Sequence, residues 1–167
     1  MSFDFDIEKN QSLERLVTKM KTFMDVCETL SSLSHDSVYK VATIIITDDF
    51  REICAIGFNG DYKGGPNNRV NFEKGQSAFL HSEENAIFHL GKPFEIRSSL
   101  VLICTHKPCT MCAKRIVNSG IKRVIFKNEY SDELNQTDEI FENSNIRFCK
   151  FDDVIVCPRY LEEFLHY

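Results

Sequence analysis

The chain has 167 residues, of which 43% are hydrophobic and 27% charged, a composition typical of one globular domain with its own core. Its net charge of −5 disfavours a nucleic acid strand as partner, because such proteins usually carry a basic surface that neutralises phosphates. Since no apolar run approaches the ~20 residues of a membrane span and the acidic N-terminus is not a secretory signal, we expect a cytoplasmic protein that acts on a small molecule.

The first half of the chain predicts a long helix followed by a hairpin. Residues 1–11 are polar and are expected to be loosely held. Across residues 12–30, apolar side chains recur at steps of three and four, which predicts an amphipathic helix. Residues 40–47 are β-branched and apolar, which is typical of a strand buried on both faces, and residues 52–58 are expected to pair with it. A loop rich in Gly and Asn follows over residues 59–68.

The second half alternates between helices and strands. The predicted helices cover residues 81–90, 109–119, 132–142 and 159–166. The predicted strands cover residues 99–105, 121–127 and 146–151, with a further edge strand at 153–157. This alternation predicts a single domain over residues 1–167 of class α/β, a three-layer α/β/α sandwich with a central mixed sheet of about five strands.

Two predicted helix starts carry the residues with chemistry. His81 and Glu83 lie two apart at one start, and Cys109 and Cys112 lie three apart at the other, directly after Pro108. One nitrogen and two sulfurs leave a fourth tetrahedral position for water, which is the pattern of a catalytic zinc site. Glu83 could take a proton from that water and pass it to a ring nitrogen and a leaving amine. H-x-E followed by P-C-x-x-C is the signature of zinc deaminases.

The same residues also have less specific interpretations. A lone CxxC can be half of a structural zinc site, although no second CxxC or CxxH completes it here. It can be a redox pair, and a lone histidine on a helix is more often part of a core. Of the seven cysteines, only Cys109 and Cys112 have a metal-binding spacing, and the others are expected to be buried hydrophobic residues.

Beyond these residues, the sequence resembles the deoxycytidylate (dCMP) deaminases of the cytidine deaminase-like superfamily, over about residues 20–151. GFNG at 57–60 is similar to that family's GYNG, and HSEENAI at 81–87 is similar to HAExNAI. THKPCTMCA at 105–113 resembles TxxPCxxCA, and SGIKRV at 119–124 resembles SGIxxV. The second residue of HSEENAI is serine where the family usually has alanine.

The resemblance implies an enzyme that converts dCMP and water to dUMP and ammonia. It implies that His81, Cys109 and Cys112 hold Zn²⁺ and that Glu83 is the proton shuttle. It also implies a homo-oligomer that dCTP and dTTP can regulate. Alternatives are deamination of another cytosine compound, deamination of adenosine in tRNA, and a non-catalytic relative that binds nucleotides.

The resemblance also suggests how the substrate is held. Asn59 would hydrogen-bond the sugar, and the backbone N–H of Ser82 would meet the pyrimidine carbonyl. Lys63 and Arg69 are candidates for the phosphate, although each could equally be a solvated cation of the loop. This loop is expected to decide between a nucleotide, a nucleoside and a free base.

Overall fold

The computed structural model of the chain describes residues 2–73 and 77–166. The α-helices are α1 Ser2–Ser31, α2 Ser82–Phe88, α3 Thr110–Ser119, α4 Thr137–Asn143, α5 Phe151–Val156 and α6 Pro158–His166. The strands are β1 Ala42–Thr47, β2 Ile53–Phe58, β3 Leu100–His106, β4 Arg123–Asn128 and β5 Arg147–Lys150. A 3₁₀ turn, Phe94–Ser99, precedes β3.

The five strands form one mixed sheet in the order β2-β1-β3-β4-β5. β1 is antiparallel to both of its neighbours, while β3, β4 and β5 run parallel to one another. Ala42 at the start of β1 pairs with Phe58 at the end of β2, and Thr43 pairs with Cys104 near the end of β3. One edge of the sheet therefore collects the end of β2, the start of β1 and the carboxyl ends of the parallel strands. Carboxyl ends of parallel strands are a common place for ligand sites.

Two cores lie on opposite faces of the sheet. In β1, Ile44 and Ile46 pack with α1, α5 and α6, whereas Ile45 faces the other side and packs with α2, α3 and α4. This follows from the alternation of side chains along a strand. β1 therefore reads as a continuous apolar run because both of its faces are covered. The predicted three-layer sandwich with five strands is confirmed.

Three predicted elements differ from the structure. The helix predicted over residues 12–30 begins already at Ser2, and no Gly or Pro interrupts the sequence up to Ser31. That residues 1–11 are loosely held stays a prediction. Residues 153–157 do not form an edge strand. They lie mostly in α5, because Phe151, Val154 and Ile155 follow the helical three-and-four spacing and pack against the α1 core.

The polar helix predicted over residues 132–142 begins only at Thr137. The side chain of Asp132 instead accepts a hydrogen bond from the backbone N–H of Asn135, at 2.7 Å, which closes a turn before the helix. Aspartate competes with helix formation in this way. Within the described part of the chain, no helix is both long and apolar enough to cross a membrane.

Candidate active site

Two sets of hydrogen bonds hold the start of α3 in place, one within its first turn and one with the residues that follow β4. Cys109 is the N-cap, and its sulfur accepts a hydrogen bond from the backbone N–H of Cys112. Asp132, in the segment after β4, accepts from the backbone N–H of Thr110 at 2.7 Å and from its hydroxyl at 2.9 Å. Thr137 donates to the carbonyl of Pro108 at 2.9 Å. The start of α3, which carries both cysteines, is therefore fixed by side chains about 25 residues away in sequence.

The start of α2 brings a histidine to these cysteines. His81 is the N-cap of α2, and its Nδ1 lies 3.4 Å from the sulfur of Cys109 and 3.4 Å from that of Cys112. The three ligand atoms all lie within 4.8 Å of one another. Around tetrahedral zinc, a thiolate sulfur and an imidazole nitrogen are about 3.5 Å apart. The predicted donor set is thus already assembled at the separation that Zn²⁺ requires.

The electrostatics of the three side chains also suit a cation. Contact with Cys112, followed by contact with His81, lowers the pKa of Cys109 to about 4. The hydrogen bond with Cys109 raises the pKa of His81 to about 9, against the effect of burial. Cys109 is therefore a thiolate at neutral pH, and the positive charge of His81 stabilises it. Thiolate is the form that binds metal, and a divalent cation would take the place of the imidazole proton.

Glu83 lies beside this donor set and is almost completely buried, with 4% of its surface exposed. Burial raises the pKa of its carboxyl group, although the positive charge of His81 acts in the opposite direction. Its Oε2 accepts a hydrogen bond from the hydroxyl of Ser82 at 3.0 Å. A carboxylate with a raised pKa can both accept a proton and release it, which is the property that a proton shuttle needs.

Glu83 and Ser82 line a cavity at the same edge of the sheet. The described residues around it are Asp36, Tyr39, Val41, Asn59, Arg69, Ser77, His81, Ser82, Glu83, His106, Lys107, Cys109 and Tyr130. Seven of the eight residues predicted for the site therefore lie together, six around the cavity and Cys112 directly behind it.

Asn59 lines the cavity, but its amide is already engaged within the chain. Its oxygen accepts from the hydroxyl of Ser34 at 2.6 Å and from the backbone N–H of Val41 at 2.9 Å. Its nitrogen donates to the backbone carbonyl of Tyr39 at 2.7 Å and to Asp36 at 3.2 Å. Asn59 therefore joins the segment after α1 to the end of β2, a structural role that the sequence did not indicate.

Arg69 also reaches the cavity, while Lys63 does not. The guanidinium of Arg69 pairs with Asp36, with Nη1 2.6 Å from Oδ1, and lies 5.7 Å from the ring centre of Tyr39 and 5.8 Å from that of Phe72. The Arg69 side chain is 4% exposed, and its buried Nε has no hydrogen-bond partner among the described residues. Lys63 is exposed and is not among the described residues that line the cavity.

Sequence reasoning missed the contribution of the segment between α1 and β1. Asp36 is buried, pairs with Arg69 and accepts from the backbone N–H groups of Val38 and Tyr39 at 2.8 and 3.1 Å. An aspartate that accepts from a backbone N–H two residues on is a common turn signal. That signal could have located the turn, although not the pairing with Arg69, which lies 33 residues away.

The fold and the site both have counterparts among known proteins. Residues 17–128 match the family described as "Cytidine and deoxycytidylate deaminase zinc-binding region". The chain is 29% identical over 131 residues to the "uncharacterized deaminase in luxG 3'region" of Aliivibrio fischeri, covering 77% of this chain and 85% of that protein. It is 27% identical over 140 residues to the human deoxycytidylate deaminase, covering 77% of each chain.

A solved structure is similar as well. The dCMP deaminase of the cyanophage S-TIM5, in complex with dCMP and dUMP, is 30% identical, with a TM-score of 0.66 over 78% of this chain and 94% of that chain. The family match spans both His81 and the two cysteines, whose geometry fits Zn²⁺. A buried glutamate adjoins them in the same cavity. Sequence, fold and donor set thus agree, and the chain belongs to the family of cytidine and deoxycytidylate deaminases.

Proposed function

We propose that this protein deaminates a cytosine nucleotide, converting dCMP and water to dUMP and ammonia. The observation that carries the proposal is the buried carboxylate of Glu83 beside the assembled His81, Cys109 and Cys112 donors, at the base of a cavity. The similar cyanophage dCMP deaminase, whose structure contains dCMP and dUMP, supports the choice of substrate. The resemblance to human deoxycytidylate deaminase points to the same choice.

In this mechanism, His81, Cys109 and Cys112 would hold zinc. When bound, zinc would make a water molecule nucleophilic at neutral pH. Glu83 would accept a proton from the attacking water and deliver it to the ring nitrogen N3. It then takes the remaining proton and gives it to the departing amine, so that ammonia leaves and the uracil carbonyl forms. The burial of Glu83 supports both directions of transfer, because its raised pKa makes the carboxyl group a usable acid.

Substrate recognition in this proposal comes from the segments around the cavity. The backbone N–H of Ser82, at the start of α2, would donate to the pyrimidine carbonyl. Asn59 would contact the sugar by exchanging its bond to Asp36, which at 3.2 Å is the longest of the four hydrogen bonds of its side-chain amide. Arg69 is the better phosphate candidate, because it lines the cavity and no group in residues 2–73 or 77–166 accepts a hydrogen bond from its Nε. Lys63, which is exposed, would need a rearrangement of its loop.

A panel of substrates tests the proposal. The zinc-loaded protein would be incubated with dCMP, CMP, deoxycytidine, cytosine and a tRNA anticodon stem-loop, and ammonia release measured. We expect the highest kcat/KM for dCMP. Turnover of the stem-loop alone would favour adenosine deamination, and no turnover of any compound would favour a non-catalytic nucleotide-binding protein. Three further properties stay predictions: a homo-oligomer, regulation by dCTP or dTTP, and a cytoplasmic location. Light scattering would test the oligomeric state, and nucleotide titration would test the regulation.

A further inference from the structure

Two buried hydroxyl groups are linked to the carboxylate of Glu83 by hydrogen bonds. Ser82 at the start of α2 and Thr43 in β1 are both 0% exposed. Their hydroxyl oxygens are 2.8 Å apart, and the Ser82 hydroxyl donates to Oε2 of Glu83 at 3.0 Å. The sulfur of Cys104 in β3 lies 3.1 Å from the Thr43 hydroxyl. Buried polar groups are costly unless they are hydrogen-bonded, so this arrangement is strongly constrained.

Counting protons shows which hydroxyl donates and which accepts in these hydrogen bonds. An ionised carboxylate can only accept, so Ser82 must use its single proton for the bond to Glu83. The oxygen of Ser82 is then free to accept. The single proton of the Thr43 hydroxyl has two acceptors within reach, this oxygen at 2.8 Å and the sulfur of Cys104 at 3.1 Å, and the oxygen is the stronger acceptor. Thr43 therefore fixes the rotation of the Ser82 hydroxyl, and Ser82 fixes one oxygen of Glu83.

We propose that Ser82 is a positioning residue, which anchors Oε2 of Glu83 through its hydroxyl, and that Thr43 acts through Ser82 by orienting that hydroxyl. The proposal rests on the proposed function, since the proton that Glu83 carries belongs to that reaction. An alanine at position 82, as in the similar family motif, could not make this bond. The hydrogen bond from Ser82 to Glu83 therefore depends on the serine of this chain. It is separate from the role proposed for the backbone N–H of the same residue.

Four variants test the proposal in the zinc-loaded enzyme with dCMP: Ser82→Ala, Thr43→Val, Thr43→Ser and the double variant Ser82→Ala with Thr43→Val. We expect Ser82→Ala to lower kcat about tenfold, the effect of losing one hydrogen bond to a charged group, with KM within about twofold of wild type. Thr43→Val should lower kcat by a smaller factor. Thr43→Ser, which keeps the hydroxyl, should have a kcat close to that of the wild type. The double variant should match Ser82→Ala alone, because Thr43 has no effect without Ser82.

Unchanged kcat in Ser82→Ala would overturn the proposal, and so would multiplicative effects in the double variant. A loss of zinc or an increase in KM equal to the loss in kcat would instead assign Ser82 to metal or substrate binding. Crystal structures of the zinc-loaded wild type and Ser82→Ala provide a readout without turnover. We expect the Glu83 carboxylate to keep one conformer in the wild type and to rotate away from position 82 in the variant. If the wild type deaminates none of the compounds, the proposed function fails. The position of the Glu83 carboxylate in the two crystal structures would still decide whether Ser82 anchors it.

Discussion

Glu83 is the residue on which the proposed chemistry depends, and a neighbouring carboxylate offers a matched control. We expect Glu83→Ala to lower kcat by at least about 10³-fold, because water and substrate then lack their proton carrier. Zinc, measured by atomic emission, should stay near one per chain, since Glu83 is not one of the three donors. Glu84→Ala should remain active, because Glu84 pairs with Arg115 at 3.2 Å outside the main cavity. Loss of zinc in the Glu83 variant would contradict the role of proton carrier.

The proposed role of Arg69 in phosphate recognition can also be tested with a single substitution. We expect Arg69→Gln to lower kcat/KM for dCMP at least tenfold more than for deoxycytidine, because only dCMP carries the charge that a guanidinium binds. Removing the partner of buried Asp36 should also lower stability, and this loss affects both substrates equally. The ratio of the two kcat/KM values therefore isolates the phosphate contact. Lys63→Gln is the paired variant, and a change of the ratio there instead would assign the phosphate to Lys63.

Helix α2 depends on a close approach to β2 at Gly57. A Cβ added at this residue would lie 2.1 Å from the carbonyl oxygen of Ser82 and 2.4 Å from the backbone nitrogen of Ala86. Both are backbone atoms of the helix that presents His81 and Glu83, so the helix itself would have to move. The glycine of the GFNG segment is therefore required by packing and not by a special backbone angle.

We expect Gly57→Ala to lower the free energy of unfolding by about 3 kcal/mol, the upper part of the range for overpacking, and to weaken zinc binding. Urea unfolding and a zinc-chelator competition would measure the two effects. Gly91→Ala is the matched control, because a Cβ there meets no atom within 4 Å, and it should change stability by less than about 0.5 kcal/mol. Equal stability of the two variants would contradict the packing argument.

The zinc site links two helices that pack on the same face of the sheet, so its effect extends to the whole molecule. α2 and α3 bring their N-termini together there, and the ligand atoms come from both. A metal that binds only the folded chain stabilises it, by about 4 kcal/mol at a thousand times its Kd. We expect chelation to lower the melting temperature by roughly 10 °C, measured by calorimetry. In Cys112→Ser, chelation should change the melting temperature much less, and an equal shift in both proteins would mean that the chelator acts elsewhere.

Much of the architecture could be predicted because local patterns and burial agree over most elements. β1 and β3 are apolar runs covered on both faces, and α3 ends at Gly120, which adopts a left-handed conformation. The errors have local causes too. α5 is six residues long, too short for its period to be distinguished from a strand, and Asp132 is used in a turn. Residues 74–76 of the long loop lie outside the described part of the chain.

The sequence by itself determined the donor set and indicated the proposed proton carrier, because metal chemistry needs particular side chains at short spacings on two helix starts. Tertiary structure alone decided how the surrounding polar residues are used. Thr43 and Ser82 are 39 residues apart, and Asp36 and Arg69 are 33 apart, so nothing local pairs them. They meet because β1 crosses beneath α2 and because the loop after β2 folds back over the segment before β1. Buried hydrogen-bonding groups must find partners wherever the packing brings them, and those partners are set by the fold.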